Sequence, residues 1–352
     1  MEDLNFWYPA LLFPAIPLMM IVFGNRYSSL SRLIRELHDK LIQNKDGKNI
    51  ILIVLAFLSI YIIWGSTYLF NKIAVKEIAP LLLASIRFSI SAILMLLLSK
   101  IFGLSIKINF KQAINCCIAG FLFLGFGNGA LVWALQYIDS SLAALQTSLQ
   151  PLVVLILMRI IDGKKIGFLS FIGVVFGFFG IFLPVNQEQI ITSQESYKAM
   201  FMIFLCMIGW GVASIFVKKA ELPDNSFVNT AYQMIFASFF LIIGSFIFGE
   251  NWSQPAEWSE QVKLSLIFLI IFGSIVAFTS FNYLLQVVSP EKVSTSNYVN
   301  PIVAIILGWY FLDENITSQT IIASFVLLIG VFFINSKRKI VLFQSYKGKL
   351  KK

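Results

Sequence analysis

Twice in this chain, two hydrogen-bonding side chains one helical turn apart are followed directly by proline inside an apolar stretch. Gln146 and Gln150 precede Pro151, and Ser296 and Asn300 precede Pro301. Residues four apart share a helix face, and a proline frees carbonyl oxygens next to them. Such groups can bind a polar solute reversibly. They can equally tie helices together by hydrogen bonds with no ligand involved. Asn297 lies in the second pattern, and Gln233, Asn128 and Asn282 add polarity in other apolar runs. Trp64 and Trp210, each followed by glycine, offer either a stacking wall or plain helix packing; Trp133 and Tyr283 present the same choice. Arg87 is the one charge well inside an apolar run, seven residues past Pro80, roughly 10 Å along a helix at ~1.5 Å per residue. It either snorkels to a helix end or faces a cavity and attracts a carboxylate by a two-pronged contact.

What is missing narrows the chemistry. No aspartate or glutamate falls inside an apolar span, and His38, the single histidine, lies in a basic connection. A membrane proton relay normally uses intramembrane acids or histidine, so uniport or exchange fits better than a buried carboxylate relay. Catalysis would need paired acids, metal ligands, or a nucleophile with its base. Cys116, Cys117 and Cys206 all sit in apolar runs and read as small packing residues. No cofactor or metal is expected, and the chain does not read as an enzyme.

The elements that must position these residues occur in duplicate. At a shift of 150, Leu135 and Gln136 fall on Leu285 and Gln286, Trp133 on Tyr283, Pro151 on Pro301, Val153 on Val303 and Leu157 on Leu307. Earlier in each unit the shift is 146, which puts Trp64 on Trp210, Lys72 on Lys218, and Arg87 on Gln233. Repeats of this length in an apolar chain signal duplicated bundles. Hydrophobic residues make up 58% of the chain and charged ones 13%, with a mean hydropathy of +0.82. Runs of ~20 apolar residues without dyad alternation are spanning helices, not barrel strands.

Ten core spans are expected, at 50–70, 80–98, 112–136, 141–159, 166–184, 199–218, 227–248, 263–287, 293–311 and 317–335. The fold class is therefore all-α integral membrane, with two five-helix repeats at 50–184 and 199–335. Five spans per copy force the copies into opposite orientations. Before them come a Pro-containing hydrophobic segment at 7–23 and a basic connection, together residues 1–49; residues 336–352 form a basic tail. With the connection placed in the cytoplasm, inside segments hold 22 of the 27 basic residues, and outside segments hold only Lys72, Lys76, Lys198 and Lys263. This is the positive-inside bias. It assigns both core ends to the cytoplasm and explains the net charge of +9 as a topology signal beside anionic lipid. No folded module interleaves basic and aromatic residues, so nucleic acid is not a partner.

The run from Trp64 to Lys72 (WGSTYLFNK), followed by Pro80 to Phe88 (PLLLASIRF), resembles the opening of an EamA domain of the drug/metabolite transporter superfamily. The second copy closes with Asn300, Pro301, Gly308, Glu314, Thr317 and Gly330, similar to the family's Pro…Gly…Glu-x-x-Thr…Gly ending. The first copy departs from the pattern, with Lys164, Lys165, Ile166 and Gly167 where the acidic motif belongs. The resemblance implies ten helices in two inverted halves, and export or exchange of amino acids or other small metabolites across an inner membrane. The competing reading is an accessory membrane protein without transport activity.

The charge assignment is directly testable. Cysteines at Ser31 and Ser345, in a background lacking the native cysteines, should resist an impermeant thiol reagent in intact cells. Labelling of either from outside would break the topology.

Overall fold

In the computed structural model, residues 47–163 and 193–314 are described, with isolated positions 172, 318, 321, 322, 325, 326 and 329. The hydrophobic segment 7–23, most of the connection, the spans 166–184 and 317–335, and the tail lie outside the described residues, as do Lys164 and Lys165. The regular structure among the described residues is all helix, with no strand. Among the described residues, seven helices are long and apolar enough to cross a membrane: α1, Gly47–Ala74; α2, Pro80–Ile101; α3, Phe110–Ala134; α4, Ser140–Asp162; α5, Gln194–Val217; α6, Ser226–Ile247; α7, Glu260–Val287. A shorter apolar helix, α8, runs Asn300–Leu312, preceded by a turn of helix at Pro290–Val293 and a 3-10 segment at Ser294–Tyr298.

For the eight expected spans that fall among the described residues, observed bounds agree to a few residues, apart from three differences. Lys72, expected in a connection, lies in the last turn of α1, where its ammonium donates to the carbonyls of Leu135 (2.8 Å) and Ile138 (2.7 Å). A cation suits the exposed carbonyls at a helix C-terminus. The span at 141–159 is interrupted, with helix at Ser140–Thr147 and again at Gln150–Asp162. The span at 293–311 begins properly only at Asn300. Pro151 and Pro301 explain both breaks: each occupies the first turn of the new helix, where its missing N–H costs nothing.

These restarts match in detail. Gln150–Asp162 and Asn300–Leu312 have equal length, and both end on a left-handed residue, Gly163 at φ 67° and Asp313 at φ 53°. A second pair of features was not foreseen. Phe121–Asn128 in α3 and Leu269–Val276 in α7 are π-helical, wider than α-helix and often found where function requires an irregular wall.

Helices approach closely where side chains are absent. A Cβ on Gly120 would stand 2.3 Å from the Gln233 carbonyl oxygen, so α3 and α6 meet backbone to backbone. A methyl group forced into such a contact costs about 1–3 kcal/mol. Gly65 and Gly211 do equivalent work: added Cβ atoms would meet Val303 of α8 at 2.6 Å and Leu157 of α4 at 2.5 Å. Without a hydrophobic drive between helices in lipid, such close approach is what holds them.

Candidate functional site

Between the helices lies a cavity of about 80 Å³, counted as the room open to the centres of water molecules. Trp64, Thr67 and Tyr68 of α1 line it, with Arg87 and Phe88 of α2, Leu124 and Asn128 of α3, and Thr147, Gln150 and Val154 of α4. Cys206, Trp210 and Ser214 of α5 face these, together with Gly273, Phe278 and Phe281 of α7 and Ser294, Asn297 and Asn300 before and within α8. Two of the contributing positions, Asn128 and Gly273, lie in the π-helical segments.

Seven of the twelve residues singled out in the sequence meet here: Trp64, Arg87, Asn128, Gln150, Trp210, Asn297 and Asn300. The other five lie behind the wall. Gln233 donates to Asn229 (2.8 Å) and to Asn282 (3.3 Å), while Asn282 donates to Thr230 (3.0 Å), a polar cluster that ties α6 to α7. Gln146 donates to the Met200 carbonyl (2.6 Å), joining α4 to α5. Tyr283 packs on the central core cluster. Trp133 packs on another and stacks at a tilt on Tyr137.

One wall is aromatic. Trp64 and Trp210 meet edge-on, centroids 5.5 Å apart at 85°. Phe281 lies 5.0 Å from the first and 5.2 Å from the second. The Trp64 indole N–H donates to the Gly273 carbonyl at 3.4 Å. The polar wall is built from amides. Gln150 donates to the Met207 carbonyl at 3.0 Å. Asn300, with its amide oriented to satisfy both ends, donates to the carbonyls of Tyr61 (3.1 Å) and Ser296 (3.2 Å), so α1 and α8 are held at this depth. The Asn128 Oδ1 is buried and has no hydrogen-bond partner among the described residues.

Arg87 is 3% exposed. Its Nε donates to Ser274 Oγ at 2.6 Å, and that hydroxyl donates to the Leu269 carbonyl. The guanidinium carbon lies 4.9 Å from the centroid of the Phe88 ring. The side chain is thus drawn inward across to α7 and away from the end of its own helix. Its Nη1 has no partner among the described residues.

The sequence reading missed Tyr68, Ser214, Ser274, Phe278 and Phe281. Tyr68 and Ser214 were findable: each is one turn beyond a tryptophan, and they are equivalent at the shift of 146. Tyr68 donates to Thr147 Oγ1 (2.5 Å), whose hydroxyl is given to the Ala144 carbonyl, so α1 is latched to α4 beside the cavity.

Beyond that latch, toward the end carrying Lys72, carboxylates cap helix starts. Glu314, 7% exposed, accepts from the amides of Ser140 (2.7 Å) and Ser141 (3.0 Å) at the start of α4. Glu250 accepts from Leu81 (3.0 Å) and Leu82 (2.9 Å) at the start of α2, and Glu77 from Ser259 (2.7 Å) just before α7. Anions at helix N-termini are favoured by the free N–H groups there. Each of the three crosses between the 50–184 and 199–335 units. The opposite end is joined differently, by Glu221 with Asn109 (3.0 Å) and Lys111 (3.0 Å). The cavity lining runs toward that end, to Pro290 and Ser294. Among the described residues no cluster of acids, histidine and cysteine is suited to a metal ion.

Comparison with known proteins agrees with this architecture. The model of the EamA-like transporter family matches residues 50–185 and 197–336. An uncharacterized inner membrane transporter of Escherichia coli K12, YedA, is 30% identical over 280 residues, covering 79% of this chain and 89% of the relative. An uncharacterized transporter of Bacillus subtilis, YoaV, is 25% identical over 292 residues, covering 82% and 99%. A solved crystal structure at 16% identity superposes with a TM-score of 0.59 over 80% of this chain and 96% of its own, a likeness of fold.

The charged end makes a pH-dependent prediction. Burial pushes the Asp139 carboxyl above its ordinary pKa, the Glu314 charge adds to this, and Lys72 opposes it. A carboxyl raised in the folded state costs nothing at low pH; the penalty on folding builds as pH rises above the ordinary carboxylate value and is complete once pH passes the raised one. Asp139→Asn should therefore raise the melting temperature in detergent at neutral pH, with the gain vanishing as pH falls into the ordinary carboxylate range. Glu314→Gln should do the reverse at neutral pH, losing about 1.5–3 kcal/mol with its charge-assisted bonds. Equal effects of the two substitutions would contradict this arrangement.

Proposed function

The chain belongs to the EamA-like transporter family and is a multi-pass membrane protein, not an enzyme, and from that premise we propose that it is a secondary transporter. It exports or exchanges small metabolites such as amino acids by alternating access. The substrate site is the central cavity, and Trp64, Arg87, Asn128, Gln150, Trp210, Asn297 and Asn300 meet the substrate there. The arrangement has ten helices in two inverted five-helix repeats, in the inner membrane, with the C-terminal tail in the cytoplasm beside anionic lipid.

One observation carries this reading. Matching elements of the two units, α1 with α5 and α4 with α8, bring their equivalent residues to one cavity: Trp64 faces Trp210, and Gln150 and Asn300 both line it. A protein that only tethered others would have no use for a hollow at the junction of its repeats. Two inverted halves that rock about such a hollow expose it to each side in turn. In the conformation described here the Tyr68–Thr147 bond and the carboxylate caps close the Lys72 end. In the proposed topology that end is the outside one, so this conformation serves the cytoplasm.

Counterflow in proteoliposomes tests the function. Vesicles preloaded with one member of a panel of amino acids, organic acids, nucleobases and sugars should accumulate the same labelled compound transiently, and only when the protein is present. If no member of the panel exchanges, the accessory reading replaces this one.

A further inference from the structure

A guanidinium buried to 3% exposure normally has an acid beside it, because an isolated charge away from water is costly. Arg87 has none among the described residues. Its Nε is committed to Ser274, its flank lies on the Phe88 ring, and Nη1 is left without a partner. The described acids nearest the helix starts are spoken for elsewhere: Glu250 on Leu81 and Leu82, Glu314 on Ser140 and Ser141. The side chain lines the cavity. Ser274 therefore fixes one edge of the planar fork, and no acid among the described residues offsets its charge beside the cavity.

The remainder of the lining decides what the ligand carries besides an anion. Arg87 is the one charged residue among the described lining residues. A zwitterion could place its carboxylate at Arg87, but its ammonium would find only neutral groups. The Trp64 N–H is already given to Gly273, so the indoles offer apolar ring surface together with Phe281. The buried Asn128 Oδ1 without a partner among the described residues can accept a hydrogen bond but carries no charge to balance an ammonium.

We propose that this cavity selects a net-anionic organic carboxylate with a flat apolar body over the zwitterion of the same shape. Arg87 takes the carboxylate, and the Trp64, Trp210 and Phe281 rings cover the body. This rests on the reading of the cavity as the substrate site. It departs from the amino-acid expectation by one charge: binding completes an ion pair that the folded protein lacks.

Three probes of one skeleton test it: phenylpyruvate, L-phenylalanine and phenethylamine, an anion, a zwitterion and a cation. Titration calorimetry on the full-length protein in detergent should rank phenylpyruvate tightest. Arg87→Gln should weaken phenylpyruvate by about tenfold to a hundredfold, the range for a hydrogen bond to a charged group. Arg87→Lys should fall between, since it keeps the charge and loses the fork. Neither substitution should change the weak binding of phenethylamine by a comparable factor. Phenylalanine binding as tightly as phenylpyruvate overturns the proposal, as does phenylpyruvate binding that ignores Arg87→Gln or is undetectable. Should Arg87→Gln fail to fold, the ranking on the unaltered protein decides alone. Counterflow separates the two claims. Arg87-dependent binding of phenylpyruvate with no exchange of any panel compound would sink the transport reading and keep the anion site. Exchange of phenylalanine with no binding of phenylpyruvate would do the opposite.

Discussion

The charge of Arg87, held inside an apolar bundle, is the constraint around which the rest of the structure is arranged. It can exist there only because Ser274 and the Phe88 ring receive part of it and because a hollow lies alongside. The hollow in turn requires that the surrounding helices stay apart at one depth while packing tightly at others. Gly120 against Gln233, Gly65 against Val303 and Gly211 against Leu157 supply the tight points. The indoles beside the last two then reach across the gap and meet edge-on. Packing, charge and cavity are one arrangement.

The two ends of the molecule are held by different forces, and this bears on how it moves. At the Lys72 end, carboxylates on the amides of helix starts join the two units, and the Tyr68–Thr147 bond lies just inside them. The carboxylate bonds are directional and charge-assisted, and they break as a set if one unit tilts against the other; the Tyr68–Thr147 bond is neutral and lies within the 50–184 unit. Among the described residues the opposite end is joined through exposed groups around Glu221 and by the Lys219–Asp162 ion pair, where water screens the charges and an ion pair contributes little. The end that is closed here is thus the one with the more strongly bonded closure, as expected of a discrete conformational state.

Much of this was legible in the residues, because a repeat records depth. The shifts of 146 and 150 placed Trp64 level with Trp210 and Gln150 level with Asn300, and the prolines at 151 and 301 marked where each helix restarts. Rotation about the helix axis was not legible. Gln146 lies one turn from Gln150 yet is spent on the Met200 carbonyl, and Gln233, the counterpart of Arg87, is spent on Asn229 and Asn282. Two causes can be named. Helix irregularity shifts the phase of a pattern read at α-helical spacing: the π-helical segments in α3 and α7 precede Trp133, Asn282 and Tyr283, and the break after Thr147 separates Gln146 from Gln150. The partners also lie far apart in sequence: Ser274 is 187 residues from Arg87, and Glu314 is 174 from Ser140. No local pattern announces such a pairing. The acidic residue of the closing motif was recognised by resemblance, but its place on the first turn of α4 came only from the fold.

The central claim is that one cavity is reached from both sides of the membrane in turn. Cysteines at Gln150 and Asn300, placed singly in a background without native cysteines, test this without knowledge of the substrate. Modification by an impermeant thiol reagent is followed in right-side-out and in inside-out vesicles. The account predicts that each position reacts from both sides, faster from the side opposite the Lys72 end, toward which the cavity extends in this conformation. Reaction from one side only, or from neither, would contradict it.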